Sequence, residues 1–262
     1  MQIDFYKYQG TGNDFILIDN RMDPIALTME QVRSACDRRF GIGADGLMLL
    51  EREPGYDFKM VYYNSDGNQS SMCGNGGRCI TAFARQLGLI GNKARFLAVD
   101  GAHEALIGED GIVSLKMQDV KQVESGNDYF YLDTGSPHYV KFVSGVEDLD
   151  VVSEGRKIRN SERFAEAGTN VNFIEKKEEV LFVRTYERGV EDETYSCGTG
   201  VTAAALVAAL KGLASSKNHC QVKTLGGQLE VSFEKVLESN FYNIWLKGPA
   251  QLVFKGSISL SE

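Results

Sequence analysis

The chain has 262 residues, enough for one large domain or two small ones around a real hydrophobic core. With 43% hydrophobic and 24% charged residues, it has the composition of an ordinary soluble protein. A formal charge of -8, a pI near 5.1 and the lack of any basic run argue against nucleic acid and anionic membrane as partners, but not against an anionic small substrate.

In chain order, alternating apolar patterns predict strands over 3–9, 15–19, 46–51, 58–64, 95–99, 103–107 and 112–116 in the first half. The second half repeats the theme at 129–134, 139–143, 171–175, 180–186, 221–223, 228–233 and 243–247. A helix is expected from Thr28, where Thr28-Met29-Glu30-Gln31 has capping-box form, ending by Gly41. A second should follow Cys73, with Ile80, Phe83, Ala84 and Leu87 along one face. A third should follow Cys197, where Val201–Leu210 reads VTAAALVAAL and is apolar on nearly every side, the mark of a helix buried all round. Many short strands with one buried helix per half favour an α+β fold over a doubly wound sheet.

Internal repetition organises these elements. FKMVYYNSDGNQSSMCGNGGRCITAFARQL, from Phe58, matches LFVRTYERGVEDETYSCGTGVTAAALVAAL, from Leu181. Each runs from a strand through a glycine-containing loop and Cys-Gly-x-Gly into an apolar helix. QGTGNDFIL from Gln9 matches DTGSPHYVK from Asp133 at nearly the same offset, and DGAHEALI from Asp100 loosely matches LGGQLEVS from Leu225. The repeat implies two pseudo-symmetric α/β domains, each a curled, mostly antiparallel sheet around a central helix. The first would take residues 1–119 and 251–262, the second 120–250, with a polar linker within 120–128.

Five cysteines at wide spacing, no CxxC pair and no HExxH or C2H2 spacing among the three histidines argue against a disulfide framework and against a metal site. No apolar run approaches the roughly 20 residues that span a bilayer. Residues 1–10 lack a basic and then apolar signal sequence, so the cytoplasm is expected. Gly41-Ile42-Gly43-Ala44-Asp45-Gly46 satisfies G-x-G-x-x-G, but a helix precedes it and an apolar run follows, the reverse of a dinucleotide site.

A thiol at a helix N-terminus meets unpaired backbone N–H groups and the positive end of the helix dipole, which favour thiolate. Cys73 and Cys197 both have this setting, and the glycines after them let a carboxylate approach the same N–H groups. Two such thiols facing one cleft suit a reaction in which one removes a proton from a carbon and the other returns a proton to the opposite face.

Five segments carry a family resemblance: YQGTGNDF (8–15), RRFGIGADGL (38–47), YNSDGNQSSMCGNGGRC (63–79), GTNVNF (168–173) and YERGVEDETYSCGTG (186–200). Over essentially its whole length the chain resembles diaminopimelate epimerase, whose fold proline and hydroxyproline racemases and phenazine-biosynthesis-type isomerases share. The resemblance implies cofactor-independent conversion of LL-2,6-diaminoheptanedioate to the meso form in lysine and peptidoglycan precursor biosynthesis, by a homodimer. It implies that Cys73 and Cys197 are the catalytic pair, supported by His138 and Glu187. Substrate contacts would fall on Asn13, Asn64, Gly74, Asn75, Asn170, Glu187, Arg188, Gly198 and Thr199. Two positions depart from the family: Ser136 stands where asparagine is usual, and Gly46 where some members carry glutamine. Another amino-acid racemase, or a redox module built on a Cys73/Cys197 disulfide, are the alternative readings.

Overall fold

The computed structural model describes residues 2–70, 72–237 and 239–260. The chain divides into two compact units: residues up to Leu115 together with those from Pro249 on, and Lys116–Gly248.

Unit one contains β1 (Gln2–Gly10), β2 (Asn13–Asp19), α1 (Met29–Cys36), β3 (Gly46–Glu51), β4 (Phe58–Asn64), α2 (Gly74–Gln86), β5 (Lys93–Ala98), β6 (Gly101–Ile107) and β7 (Val113–Lys116). Unit two continues with β8 (Glu124–Ser125), β9 (Phe130–Asp133), β10 (Pro137–Phe142), α3 (Val151–Arg159), β11 (Asn170–Lys177), β12 (Val180–Glu187), β13 (Asp192–Thr194), α4 (Gly198–Leu210), β14 (His219–Thr224), β15 (Gly227–Leu237) and β16 (Asn240–Gly248). The last strand, β17 (Gln251–Ser259), returns to unit one and pairs with β1.

The strand pairings show the repeat directly. Unit one runs β17-β1-β2-β3-β4-β5-β6-β7, and only β2–β3 and β4–β5 are parallel. Unit two runs β8-β9-β10-β11-β12-β14-β15-β16, and only β10–β11 and β12–β14 are parallel. The same sequence of parallel and antiparallel steps thus occurs twice. β13, a short hairpin arm on β12, corresponds in unit one to the single antiparallel bridge between Tyr63 and Gln69.

Each sheet is covered on both faces, which explains runs such as LMLL that do not alternate. In unit one, Ile16, Ile18, Leu47 and Leu49 pack with Val32 and Ala35 of α1. In unit two, Val171, Phe173 and Phe182 pack with Val151 of α3. The opposite faces hold the two long helices, α2 against β1, β2, β3 and β6, and α4 against β9–β12 and β14–β16. The uniformly apolar α4 is buried from Gly198 to Ala208 except at Thr199, as its composition requires. Each fully buried Val or Leu there contributes about 1.5–3 kcal/mol.

The predicted capping box at Thr28 is present: Thr28 Oγ1 accepts from Gln31 N at 3.2 Å, and Gln31 Oε1 accepts from Thr28 N at 2.9 Å. The helix stops at Cys36, within the bound set by Gly41, because the Asp37 carboxylate takes the N–H groups of Arg39 and Phe40 into a turn. The sequence patterns missed α3, β8, β13 and β17. α3 is masked by Gly155, which is needed because a Cβ there would sit 2.4 Å from Tyr186 Cβ.

Candidate active site

In unit one, Cys73 is the N-cap residue of α2, in extended backbone, and its carbonyl accepts the first helical bond from Gly77 at 2.7 Å. Its Sγ lies 3.6 Å from Asn13 Oδ1, and Asn75 Nδ2 donates to the same oxygen at 3.3 Å. Asn13 is held from its other end, where Nδ2 donates to Asp45 Oδ2 at 2.5 Å. An amide with its N–H side on a carboxylate must turn its carbonyl the other way, here toward the thiol.

Asp45 is in turn part of a charged cluster. Arg38 donates to both Asp14 oxygens, at 2.8 and 3.0 Å, and to Asp45 at 2.7 Å. The buried Lys7 pairs with Asp14 at 2.7 Å and donates to Gly43 O. Burial pushes the Asp14 carboxyl up, but hydrogen bonds from Arg38 and Lys7 outweigh it and hold it at about 2. Arg78, fully buried in α2, braces the thiol loop by donating to Thr11 Oγ1 and Asn75 Oδ1 at 3.0 Å each and to Pro249 O at 3.3 Å. Burial lowers its pKa, and the neighbouring Cys79 and Cys73 pull it back up. Asn64 ends β4, exposed, opposite Gly46, with the turn closed by Gly67 N on Asn64 O at 2.9 Å.

In unit two, Cys197 is the N-cap residue of α4 in the same extended backbone, and its carbonyl accepts from Val201 N at 2.8 Å. Its Sγ lies 3.5 Å from Thr199 Oγ1, and Thr199 O accepts from Thr134 Oγ1 at 2.9 Å. Gly74 and Gly198 are the first residues of their helices, so their N–H groups are among those with no partner inside the helix.

Asn170, buried at the start of β11, donates to Ser136 Oγ at 2.8 Å and Pro137 O at 3.0 Å, and accepts from Arg188 N at 2.9 Å. The Arg188 guanidinium donates to Ala167 O at 3.0 Å and reaches Ser136 Oγ at 3.5 Å. The serine at the departing position is therefore tied to both Asn170 and Arg188. Glu187 ends β12 and accepts from Thr194 Oγ1 of β13 at 2.9 Å, so this hairpin arm orients the carboxylate.

His138 is fully buried on β10. Burial, and then the charge of Arg188, push its imidazole down to about 3, so the ring is neutral at physiological pH. Asn172 Nδ2 lies 3.1 Å from Nδ1, while Nε2 has no hydrogen-bond partner among the described residues.

The structure thus groups Asn13 and Asn75 with Cys73, and Thr199 with Cys197; Asn170 with Arg188 and Ser136 forms a third group. Sequence reasoning passed over Asp45, Arg78, Asn172 and Thr185. A signal for Asn172 was present: two asparagines two residues apart on an otherwise apolar strand share a face, so Asn172 points where Asn170 points. No group of three or more metal-ligating side chains occurs among the described residues, and no helix there is long and apolar enough to cross a membrane.

The diaminopimelate epimerase family model matches residues 5–123 and 130–253. A diaminopimelate epimerase of Flavobacterium psychrophilum is 54% identical, covering 97% of this chain and 99% of that protein. One of Chlorobaculum tepidum is 45% identical, covering 96% and 99%. Among solved structures, a phenazine biosynthesis protein of the PhzF family from Bacillus anthracis superposes with a TM-score of 0.74 at 15% identity, covering 99% of this chain and 100% of that one. A hydroxyproline epimerase from Agrobacterium vitis gives 0.72 at 14%, covering 100% and 93%. These distant structures share the fold alone, whereas the close sequence relatives and the family match over both halves establish that the chain belongs to the diaminopimelate epimerase family.

Proposed function

We propose that the chain interconverts LL- and meso-2,6-diaminoheptanedioate without a cofactor, using Cys73 and Cys197 as paired base and acid. The observation that carries this is the occurrence of a cysteine N-cap at the same point of both repeats, each ahead of a glycine that opens a 13-residue helix. One thiolate takes the Cα proton. The electron pair left behind is delocalised into the adjacent carboxylate, where helix N-terminal N–H groups stabilise the growing charge. The other thiol then gives its proton to the opposite face, and the stereocentre is inverted.

The polar residues divide the remaining work. Arg188 pairs with a carboxylate of the substrate, Glu187 accepts from an ammonium, and Asn13, Asn64, Asn75 and Asn170 hold the zwitterionic groups. Gly74, Gly198 and Thr199 present backbone and hydroxyl donors beside the thiols, and His138 supports them. The product would feed lysine and peptidoglycan precursor synthesis in the cytoplasm. Exposed Leu252, Val253 and Phe254 on β17 supply an apolar strip for a homodimer.

The test is incubation of the reduced protein with LL-diaminopimelate in D2O, beside proline and hydroxyproline. Deuterium at Cα and appearance of the meso isomer are expected for diaminopimelate alone. Folded, reduced protein that exchanges no Cα proton would sink the reading.

A further inference from the structure

The buried polar trio His138, Asn172 and Thr185 is not demanded by the fold. In unit two, the β10–β11 register sets His138 beside Asn170 and Val140 beside Asn172, and Asn172 faces Thr185 across β12. In unit one, β2–β3 sets Phe15 beside Gly46 and Leu17 beside Met48, and Met48 faces Tyr62 across β4. Phe15, Met48 and Tyr62 therefore occupy the positions of His138, Asn172 and Thr185.

In both units the middle residue lies against the helix start. A Cβ on Gly76 would fall 2.3 Å from Met48 Cε, and one on Gly200 would fall 2.4 Å from Asn172 Oδ1. The apolar version packs well, with Phe15 and Tyr62 edge to face at 6.0 Å. Burying an imidazole, an amide and a hydroxyl in its place costs free energy unless each is satisfied. Their presence in one unit alone calls for a role in the reaction.

The hydrogen bonds define that role. Asn172 Nδ2 lies 3.0 Å from the backbone carbonyl of Tyr139, which can only accept, so the amide N–H₂ must point that way. Thr185 Oγ1 donates to Asn172 Oδ1 at 3.0 Å and fixes the other end. The second N–H of the same amide then meets His138 Nδ1 at 3.1 Å. A donor facing Nδ1 requires a lone pair there, so the single ring proton sits on Nε2. That N–H is buried and has no partner among the described residues.

We infer that Asn172, oriented by Thr185 and the Tyr139 carbonyl, is a positioning residue that fixes His138 as the Nε2–H tautomer and holds this N–H ready to donate to an anionic acceptor during the reaction. The inference rests on the reading that His138 serves the epimerase site. It makes the ring a donor rather than a base.

Histidine ¹⁵N spectra test it, since only three histidines need assignment and the His138→Phe spectrum identifies the missing one. The wild-type ring should show a protonated Nε2 and an unprotonated Nδ1 at neutral pH. In Asn172→Leu, Nδ1 loses its donor, so the ring is no longer held as one tautomer and both ¹⁵N shifts should move toward tautomer-averaged values. With it, kcat for diaminopimelate should fall roughly 10²-fold, the usual cost of one charge-stabilising donor, while KM changes little. A wild-type ring that is charged or carries its proton on Nδ1 overturns the inference, even if the variant does not fold. So does a variant whose ring ¹⁵N shifts match the wild type's, or one whose tautomer is released with kcat unchanged. A wild type showing the expected tautomer but no Cα exchange with diaminopimelate would instead remove the functional reading and leave the tautomer assignment standing.

Discussion

The two halves share one plan and fill it differently. Both place a cysteine N-cap before a 13-residue helix, and both repeat the same order of strand pairings. Around Cys73 the amide of Asn13 is oriented by Asp45 and a cluster of Lys7, Asp14 and Arg38. Around Cys197 no such charged cluster appears among the described residues, and the polar trio of His138, Asn172 and Thr185 lies behind the helix start. The helices differ as well: α2 carries the buried Arg78, while α4 is apolar almost throughout. The lesson is that the repeat specifies a backbone and a thiol position, and each half then tunes its surroundings independently.

The sharpest way to break this comparison is to remove one thiol at a time. Cys73→Ala and Cys197→Ala should each lower epimerisation by at least about 10³-fold, since each removes a proton-transfer group. If the halves act on opposite faces, each variant should still exchange Cα hydrogen with D2O from one stereoisomer, and from a different one in each case. Two variants that exchange the same isomer would end the two-base scheme.

A smaller effect is expected from giving unit two the residues of unit one. His138→Phe with Asn172→Met should fold with a loss of about 1–3 kcal/mol, because the His138–Asn172 bond is removed from both sides while Thr185 Oγ1 and the Tyr139 carbonyl lose their partner. Turnover should drop roughly 10²-fold through loss of the Nε2–H donor. The same double variant should also lose acid sensitivity. A histidine with a folded pKa of about 3 and an ordinary value of 6.5 gives stability that is present above 6.5 and lost as pH falls toward 3. Denaturant melts of the wild type should weaken through that window, and the variant should weaken less. Equal slopes would show that His138 does not titrate as proposed.

The glycines at the helix starts allow a finer test. A Cβ at position 76 meets the mobile end of Met48, whereas one at 200 meets Asn172 Oδ1, pinned by hydrogen bonds. Gly200→Ala should therefore destabilise by about 1–3 kcal/mol. Gly76→Ala should cost less than about 1 kcal/mol by the same reasoning. Thermal melts of the pair decide it, and a larger loss at 76 would refute the contrast. The smallest effect on turnover belongs to Thr28→Ala, which should cost about 1 kcal/mol of stability through the lost cap and leave kcat unchanged.

Much of this was legible in the sequence because it depends on local rules. The capping box at Thr28, the buried apolar α4 and the helix-start setting of both cysteines follow from residues adjacent in the chain. The repeat was visible because Cys-Gly-x-Gly recurs at a fixed distance. α3 was hidden by Gly155, a residue that reads as a helix breaker but is required by the close approach of Tyr186. β17 was hidden because its side chains are almost all exposed and its partner β1 lies at the other end of the chain.

The sequence by itself determined the family, the doubled plan and the two thiols, since these rest on contiguous motifs and their spacing. Only the tertiary structure decided how each thiol is surrounded. The pairing of Asn13 with Asp45, and the chain from Thr185 through Asn172 to His138, join residues 13 to 34 positions apart. Such contacts depend on strand register and on which face a side chain takes, and a shift of one residue would turn every one of them away.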